Sequence, residues 1–385
     1  MSRKLAAALA LLIAVALLPI PTLANPITML DFTAMDSVDN TATDHWKWDK
    51  VTKTLTLNGA TLAVPLRLPG GATIEVNGNN SISVSHQNGP PQDPVDFVVN
   101  CSQGTVTLTG PGTLNITYGT EQDLNVDNGT RKDLWMGNLV LGMEGQRGPT
   151  VNLTQNMFES MAITGSVDVH SGTLNIKALS RAGGGILGDV AVTGGSLNIE
   201  AMNGGIVGSL YITGGSVRVK VRNDATGDDE DEYVGIAFKG TLNVHGGVVW
   251  LTSHTPSGNY ADQFAPAILQ EELSTDLTVR GSTNYNELDP TQPVTWKTYG
   301  PSIDTPGGPE QSGLYPFIGD TPAKTVRISA GDDSGSQSGI IIYVPTDDTP
   351  NTTTGNPTTG ANDFVSTAAA AALMALLGAA ALLRK

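Results

Sequence analysis

Gly188-Asp-Val-Ala-Val-Thr-Gly-Gly-Ser-Leu-Asn-Ile-Glu-Ala201 is a unit that the chain repeats. The same pattern returns as Gly165-Ser-Val-Asp-Val-His-Ser-Gly-Thr-Leu-Asn-Ile-Lys-Ala178, as Gly208-Ser-Leu-Tyr-Ile-Thr-Gly-Gly-Ser-Val-Arg-Val-Lys-Val221 and as Gly240-Thr-Leu-Asn-Val-His-Gly-Gly-Val-Val-Trp-Leu-Thr-Ser253. An earlier relative, Gly104-Thr-Val-Thr-Leu-Thr-Gly-Pro-Gly-Thr-Leu-Asn-Ile-Thr117, carries one extra turn residue. Each unit reads as two short alternating strands around a glycine-rich corner. Starts at 165, 188 and 208 give a period of about twenty residues, the length of one β-solenoid coil and too short for a propeller blade. The step to 240 is longer because an acidic insertion, Arg222 to Tyr233, loops out.

Period-two alternation predicts which residues point inward: Val167, Val169, Leu174 and Ile176, then Val190, Val192, Leu197 and Ile199 one coil on. Coils stacked about 4.8 Å apart place like residue over like, so a continuous aliphatic column fills the tube. A third apolar piece precedes several units, at Gly185-Ile186-Leu187, Gly205-Ile206-Val207 and Val234-Gly235-Ile236-Ala237. Three strands per coil specify an all-β chain built as a parallel β-helix. Its predicted extent is residues 51–254, with first strands at Leu55 to Leu62 and Thr73 to Val84. Residues 25–50, with Trp46 and Trp48, are expected to cap the N-terminal end, since an open coil is an exposed sheet edge. Residues 255–345 are proline-rich through Phe317 and read as an irregular C-terminal cap closed by a last strand at Lys324 to Ile328. Residues 346–355, rich in Thr, Asn, Asp and Pro, read as a solvated linker.

Thirty-seven Asp and Glu against twenty-one Lys and Arg give a net charge of −16. Such a chain repels nucleic acid and other polyanions except where a cation or a local basic patch intervenes. Cys101 is the only cysteine, so no internal disulfide forms, and the residue is expected to act as a small buried hydrophobe.

Chemistry would have to sit on the outward columns. One runs through Asp168, Ala191, Tyr211 and Asn243, another through Asn175, Asn198, Arg218 and Trp250, with Lys177, Glu200, Lys220 and Thr252 beside it. Arg218, Lys220 and Trp250, with Tyr211, are candidate sugar-binding residues: cations for carboxylates and flat faces for sugar rings. Asn175 and Asn198 are expected to form a short amide ladder. Two acidic stretches are candidate calcium ligands. Asp123, Asn125 and Asp127, followed by Gly129, offer oxygens at alternate positions, although Leu134 stands where an EF-hand loop places its bidentate glutamate. The insertion offers Asp228, Asp229 and Asp231, although so many unpaired carboxylates repel one another and read more readily as a solvated loop. No catalytic residue is assigned. His170 and His245 share a corner position but lie three coils apart, about 14 Å, too far for one metal.

Both ends carry targeting patterns. Arg3 and Lys4, the apolar run Leu5 to Leu18 and Thr22-Leu23-Ala24 read as an export signal over residues 1–24. At the other end, an apolar run from Phe364 to Leu383 is long enough to span the ~30 Å of a bilayer core as a helix, and Arg384 and Lys385 hold its end on the cytoplasmic side. It follows Asn356-Pro357-Thr358-Thr359-Gly360, which resembles the LPXTG sorting motif of Gram-positive surface proteins, with Asn356 in place of Leu. The resemblance implies a sortase that attacks the carbonyl of Thr359, releases Gly360 and residues 361–385, and joins Thr359 covalently to peptidoglycan. The mature chain would then be displayed at the cell surface after a transient membrane-spanning stage.

The stretch from Trp48-Asp49-Lys50 to Leu57, the phrase Ala72-Thr-Ile-Glu-Val76, and Val106-Thr-Leu-Thr-Gly-Pro-Gly-Thr-Leu-Asn-Ile116 resemble the β-helical carbohydrate-binding domains of Firmicutes surface proteins. That resemblance covers roughly residues 48–253. It implies a right-handed single-stranded parallel β-helix, non-catalytic, that binds acidic plant-type polysaccharide such as polygalacturonate with calcium as cofactor; separately, the chain is expected to stand on the wall as a monomer. It transfers no ligand residue. Two other functions compete: an adhesin or structural surface protein with a protein partner, and a polysaccharide lyase acting on uronic-acid polymers. For a hydrolase on this fold, Arg218-Val-Lys220 and Asp228-Asp229 are the sole echoes of the expected motifs.

Overall fold

Glycine corners divide each repeat into three strands. Met161–Thr164, Val167–Val169 and Thr173–Ala178 form one coil, and Gly184–Leu187, Val190–Val192 and Ser196–Ala201 form the next. The structure, a computed structural model, describes residues 29–85, 96–124, 132–180, 183–202, 204–222, 236–239, 242–254, 268–269, 277–284, 287, 289–299 and 313–330. Each strand pairs in parallel with its counterpart one coil away: Ile163↔Ile186↔Ile206 on the first face, Val167↔Val190↔Leu210↔Leu242 on the second and Leu174↔Leu197↔Val217↔Val249 on the third. Among the described residues, eight parallel strands stack on the third face, from Thr61–Leu62 to Val248–His254. The chain is all-β with long stacked parallel sheets, a β-solenoid.

The inward residues named from the alternation are the core. Val167, Val169, Leu174, Val192 and Leu197 are wholly buried, and Ile176, Val190 and Ile199 nearly so. The column continues through Leu114, Val151, Val217 and Val249, so one cluster runs the length of the coils. At its N-terminal end the third-face column is headed by Asn80, whose Oδ1 accepts from the backbone of Gly59 (2.8 Å) and Ala60 (2.9 Å) while its Nδ2 donates to Asn77 O (2.9 Å). A buried amide is tolerable there because its hydrogen bonds are met.

The corners between the first two faces require glycine. Gly165, Gly188 and Gly208 stand one above another with φ of +148°, +153° and +152°, and a Cβ on Gly188 would lie 2.3 Å from the carbonyl oxygen of Gly165. No side chain fits between coils so close.

The N-terminal cap is a hairpin, Val38–Asn40 with Trp46–Asp49, laid antiparallel on Thr54–Asn58. Trp46 and Trp48 are buried, and Phe32 meets them at ring centroid distances of 5.7 and 5.0 Å. The C-terminal end differs from the irregular cap expected. Leu277–Ser282, Gln292–Pro293, Thr295–Tyr299 and Gly313–Ile318 are strands, and the last one spans Thr325–Ala330. Thr325–Ala330 lies antiparallel between Val248–His254 and Leu277–Ser282, and with Gln292–Pro293 the third face is extended by three strands that alternate in direction. The last strand, expected at Lys324 to Ile328, pairs with the open edge of the last coil; the others escaped sequence reading because they carry no copy of the repeat.

Opposite consequences are expected for adjacent positions. Leu197→Asp buries an unpaired carboxylate and should cost on the order of 3–5 kcal/mol, whereas Asn198→Ala, on the outer side, should cost about 1 kcal/mol. Equal denaturant midpoints for the two variants would contradict the register.

Candidate functional site

The outer side of the third face begins as a row of amides. Asn152 Nδ2 donates to Asn115 Oδ1 (2.7 Å), Asn175 to Asn152 (2.8 Å) and Asn198 to Asn175 (2.9 Å). The expected pair is thus part of a four-rung ladder. At the next rung the column changes character: Asn198 is followed by Arg218, then Trp250, then Arg327 and Arg280. Val249, Leu251, Val326 and Ile328 are buried, so the alternating residues Trp250 and Arg327 lie on the outer side.

Arg218 is exposed, and its Cζ stands 5.1 Å from the centroid of the Trp250 ring. A stack of this kind is worth about 0.5–1 kcal/mol at an exposed site. Trp250 is half-buried, and its Nε1 is covered and without a hydrogen-bond partner, so the exposed part of its side chain is ring carbon. Lys220 lies 3.9 Å from Glu200, a partly exposed pair with little effect on stability. Among the described residues, Arg218 and Arg327 have no carboxylate within ion-pairing distance. In a chain with 37 acidic residues, that leaves two uncompensated guanidinium groups flanking one indole.

The structure therefore brings Arg218, Trp250 and Lys220 onto one face and leaves Tyr211 on another. Tyr211 belongs to Leu210–Ile212 on the second face, across the Thr213-Gly214-Gly215 corner, where its exposed ring lies 5.3 Å from that of His245. Arg327 and Arg280 join the site although sequence reading missed them. The signal was present locally, since Arg327 alternates with Val326 and Ile328 and Arg280 follows Val279. What was missing was the antiparallel pairing that brings them beside Trp250.

Of the candidate calcium ligands, Asp123 alone is among the described residues. It is buried, and its Oδ2 accepts from the backbone N (2.7 Å) and Oγ1 (2.8 Å) of Thr120, closing the turn Glu121–Asp123. Nearby, burial pushes the Tyr118 phenol upward, reinforced by the carboxylates of Asp96, Asp133 and Asp123. Burial lowers the pKa of Lys132 against the pull of Asp96 and Asp123. Asn125, Asp127, Asp228, Asp229 and Asp231 lie outside the described residues, as do Asn356, Pro357, Thr358, Thr359 and Gly360. Cys101 is 1% exposed, and burial raises its thiol to about 12, which keeps it protonated and unreactive.

Comparison of the chain with protein-family models, curated proteins and solved structures finds no match.

One titrating group stands out on the second face. Asp168 lies between Val140 and Ala191 on the neighbouring rungs, and this partial burial raises its carboxyl above the usual 3.8, with His170 opposing the shift. An acid with a folded pKa above its unfolded value holds its proton more tightly when folded. Its contribution to stability is therefore greatest below the unfolded pKa and is lost as pH rises through the folded one. Asp168→Asn should raise the melting temperature at about pH 7 and leave it unchanged near pH 3. The same shift at both values would remove ionisation as the cause.

Proposed function

We propose that this chain is a non-catalytic carbohydrate-binding protein of the cell surface, specific for acidic polysaccharide. The observation that carries the reading is the Arg218–Trp250 stack on the outer side of a strongly acidic solenoid. A guanidinium recognises a carboxylate through two parallel hydrogen bonds, and indole carbon offers an apolar plane for the C–H face of a sugar ring. The alternating β-framework holds both side chains in fixed register, so little ordering is left to be done on binding. Net negative charge elsewhere disfavours approach of a polyanion to other faces. Export, and covalent attachment to peptidoglycan through Thr359 by a sortase, would place the domain where an external polysaccharide meets it. Calcium bound at the acidic stretches is a second route by which an acidic sugar could be held.

A glycan array with the parent and Trp250→Ala proteins, with and without a calcium chelator, tests this. Binding of uronate-containing polysaccharides by the parent, reduced at least tenfold in Trp250→Ala with calcium present, is the expected result. Loss on chelation alone would move the site to the acidic stretches. Binding of no glycan would favour the adhesin, and release of unsaturated oligogalacturonides the lyase. For the anchor, Thr359→Ala should shift the protein from the peptidoglycan fraction to membrane or medium; unchanged covalent attachment would exclude sorting at this motif.

A further inference from the structure

We propose that the ligand is an extended uronate chain lying along the solenoid axis, which crosses from the last repeat onto the antiparallel cap and is gripped there by Arg327 and Arg280. The inference rests on the carbohydrate reading above and adds the direction and minimum length of the ligand. Arg218, Trp250, Arg327 and Arg280 occupy four consecutive rungs in direct register. At about 4.8 Å per rung, Arg218 and Arg280 are about 14 Å apart, longer than a single sugar ring. Across the axis the Arg218 rung also carries Lys220, 3.9 Å from Glu200, and Arg222, but no aromatic residue; along the axis the column adds Trp250, Arg327 and Arg280. On the Trp250 and Arg327 rungs the neighbours two residues away are Val248 and Ser329 on one side and the buried Thr252 and Thr325 on the other, all uncharged. A polyanion lying across the Arg218 rung would meet cations but no flat apolar surface; one lying along the column meets three guanidinium groups and the indole between two of them. Arg218 and Arg327, one rung to either side of Trp250, would each engage a carboxylate while a ring between them rests on the indole. On the far side of Arg218 the track continues as the amide ladder, a neutral row suited to hydroxyl groups. Two of the three guanidinium groups in the column thus come from Leu277–Ser282 and Thr325–Ala330, strands outside the repeat, so the site is complete only when the cap is docked.

The test is calorimetric titration of the full chain with oligogalacturonates of one to six units, using the parent, Arg218→Gln, Arg327→Gln and Arg280→Gln proteins. Affinity should rise steeply with length. Arg218→Gln and Arg327→Gln should each weaken binding of the hexamer about tenfold or more, and Arg280→Gln should weaken the hexamer while leaving the dimer unchanged. Melting temperatures within a degree or two of the parent would show that the variants are folded, and if Arg327→Gln unfolds, Arg280→Gln still decides. Binding that depends on Arg218 and Trp250 but not on Arg327 or Arg280 would overturn the axial track while leaving the carbohydrate reading in place. Competition by monomeric galacturonate as effective as by hexamer would do the same. Failure of every length to bind would defeat both.

Discussion

In-register parallel pairing between coils is the constraint on which everything else in this chain depends. Because successive coils lie about 4.8 Å apart, an inward residue has a fixed space set by the residues above and below it. Leu174, Leu197, Val217 and Val249 therefore follow one another with little change of volume. A single coil leaves its apolar edges open and cannot fold alone, so the stack gains stability as it grows and needs something different at each end. The same register acts outward. A side chain on the outer side cannot choose its neighbour, and any polar residue placed there becomes part of a row.

Those rows account for the electrostatics of the third face. In the amide ladder every Nδ2 donates in the same sense along the column, so the side-chain dipoles add, with the oxygen end of the series at Asn198. Hydrogen bonds in such a chain polarise one another. Arg218 occupies the next rung, where the partial negative charge of the ladder favours a cation. The change from amide to guanidinium thus falls where the ladder's own field supports it, and the indole of Trp250 then covers the cation on its other side.

What could be read beforehand follows from how local each signal was. The repeat of Gly165, Gly188 and Gly208 marks the corners, because close approach of backbones leaves glycine as the one residue that fits, and alternation between them assigns Leu197 to the inside and Asn198 to the outside. The amide ladder was read at two rungs; Asn115 stood in the earlier relative of the repeat without being joined to them, and Asn152 belongs to a strand outside the recognised copies. Tyr211 was offered beside Arg218 as a sugar contact although alternation already set the two on separate columns, and the glycine corner between them keeps them on different faces. Arg327 lies 77 residues after Trp250, and nothing in its own segment says that the strand returns antiparallel against the last coil. Topology of that kind is decided by which edge is open, a property of the assembled stack.

The outermost strands carry a further consequence for how copies of this molecule meet. Among the described residues the third face ends at Gln292–Pro293, a strand of two residues of which one is proline. Proline has no backbone N–H, and its ring obstructs a strand trying to lie alongside. A solenoid whose terminal rung offered an unbroken row of donors would invite the first rung of another molecule and grow into a fibre. On the third face that last strand is half proline, so the translation that builds the coil inside one chain meets an obstacle there before it could pass to another.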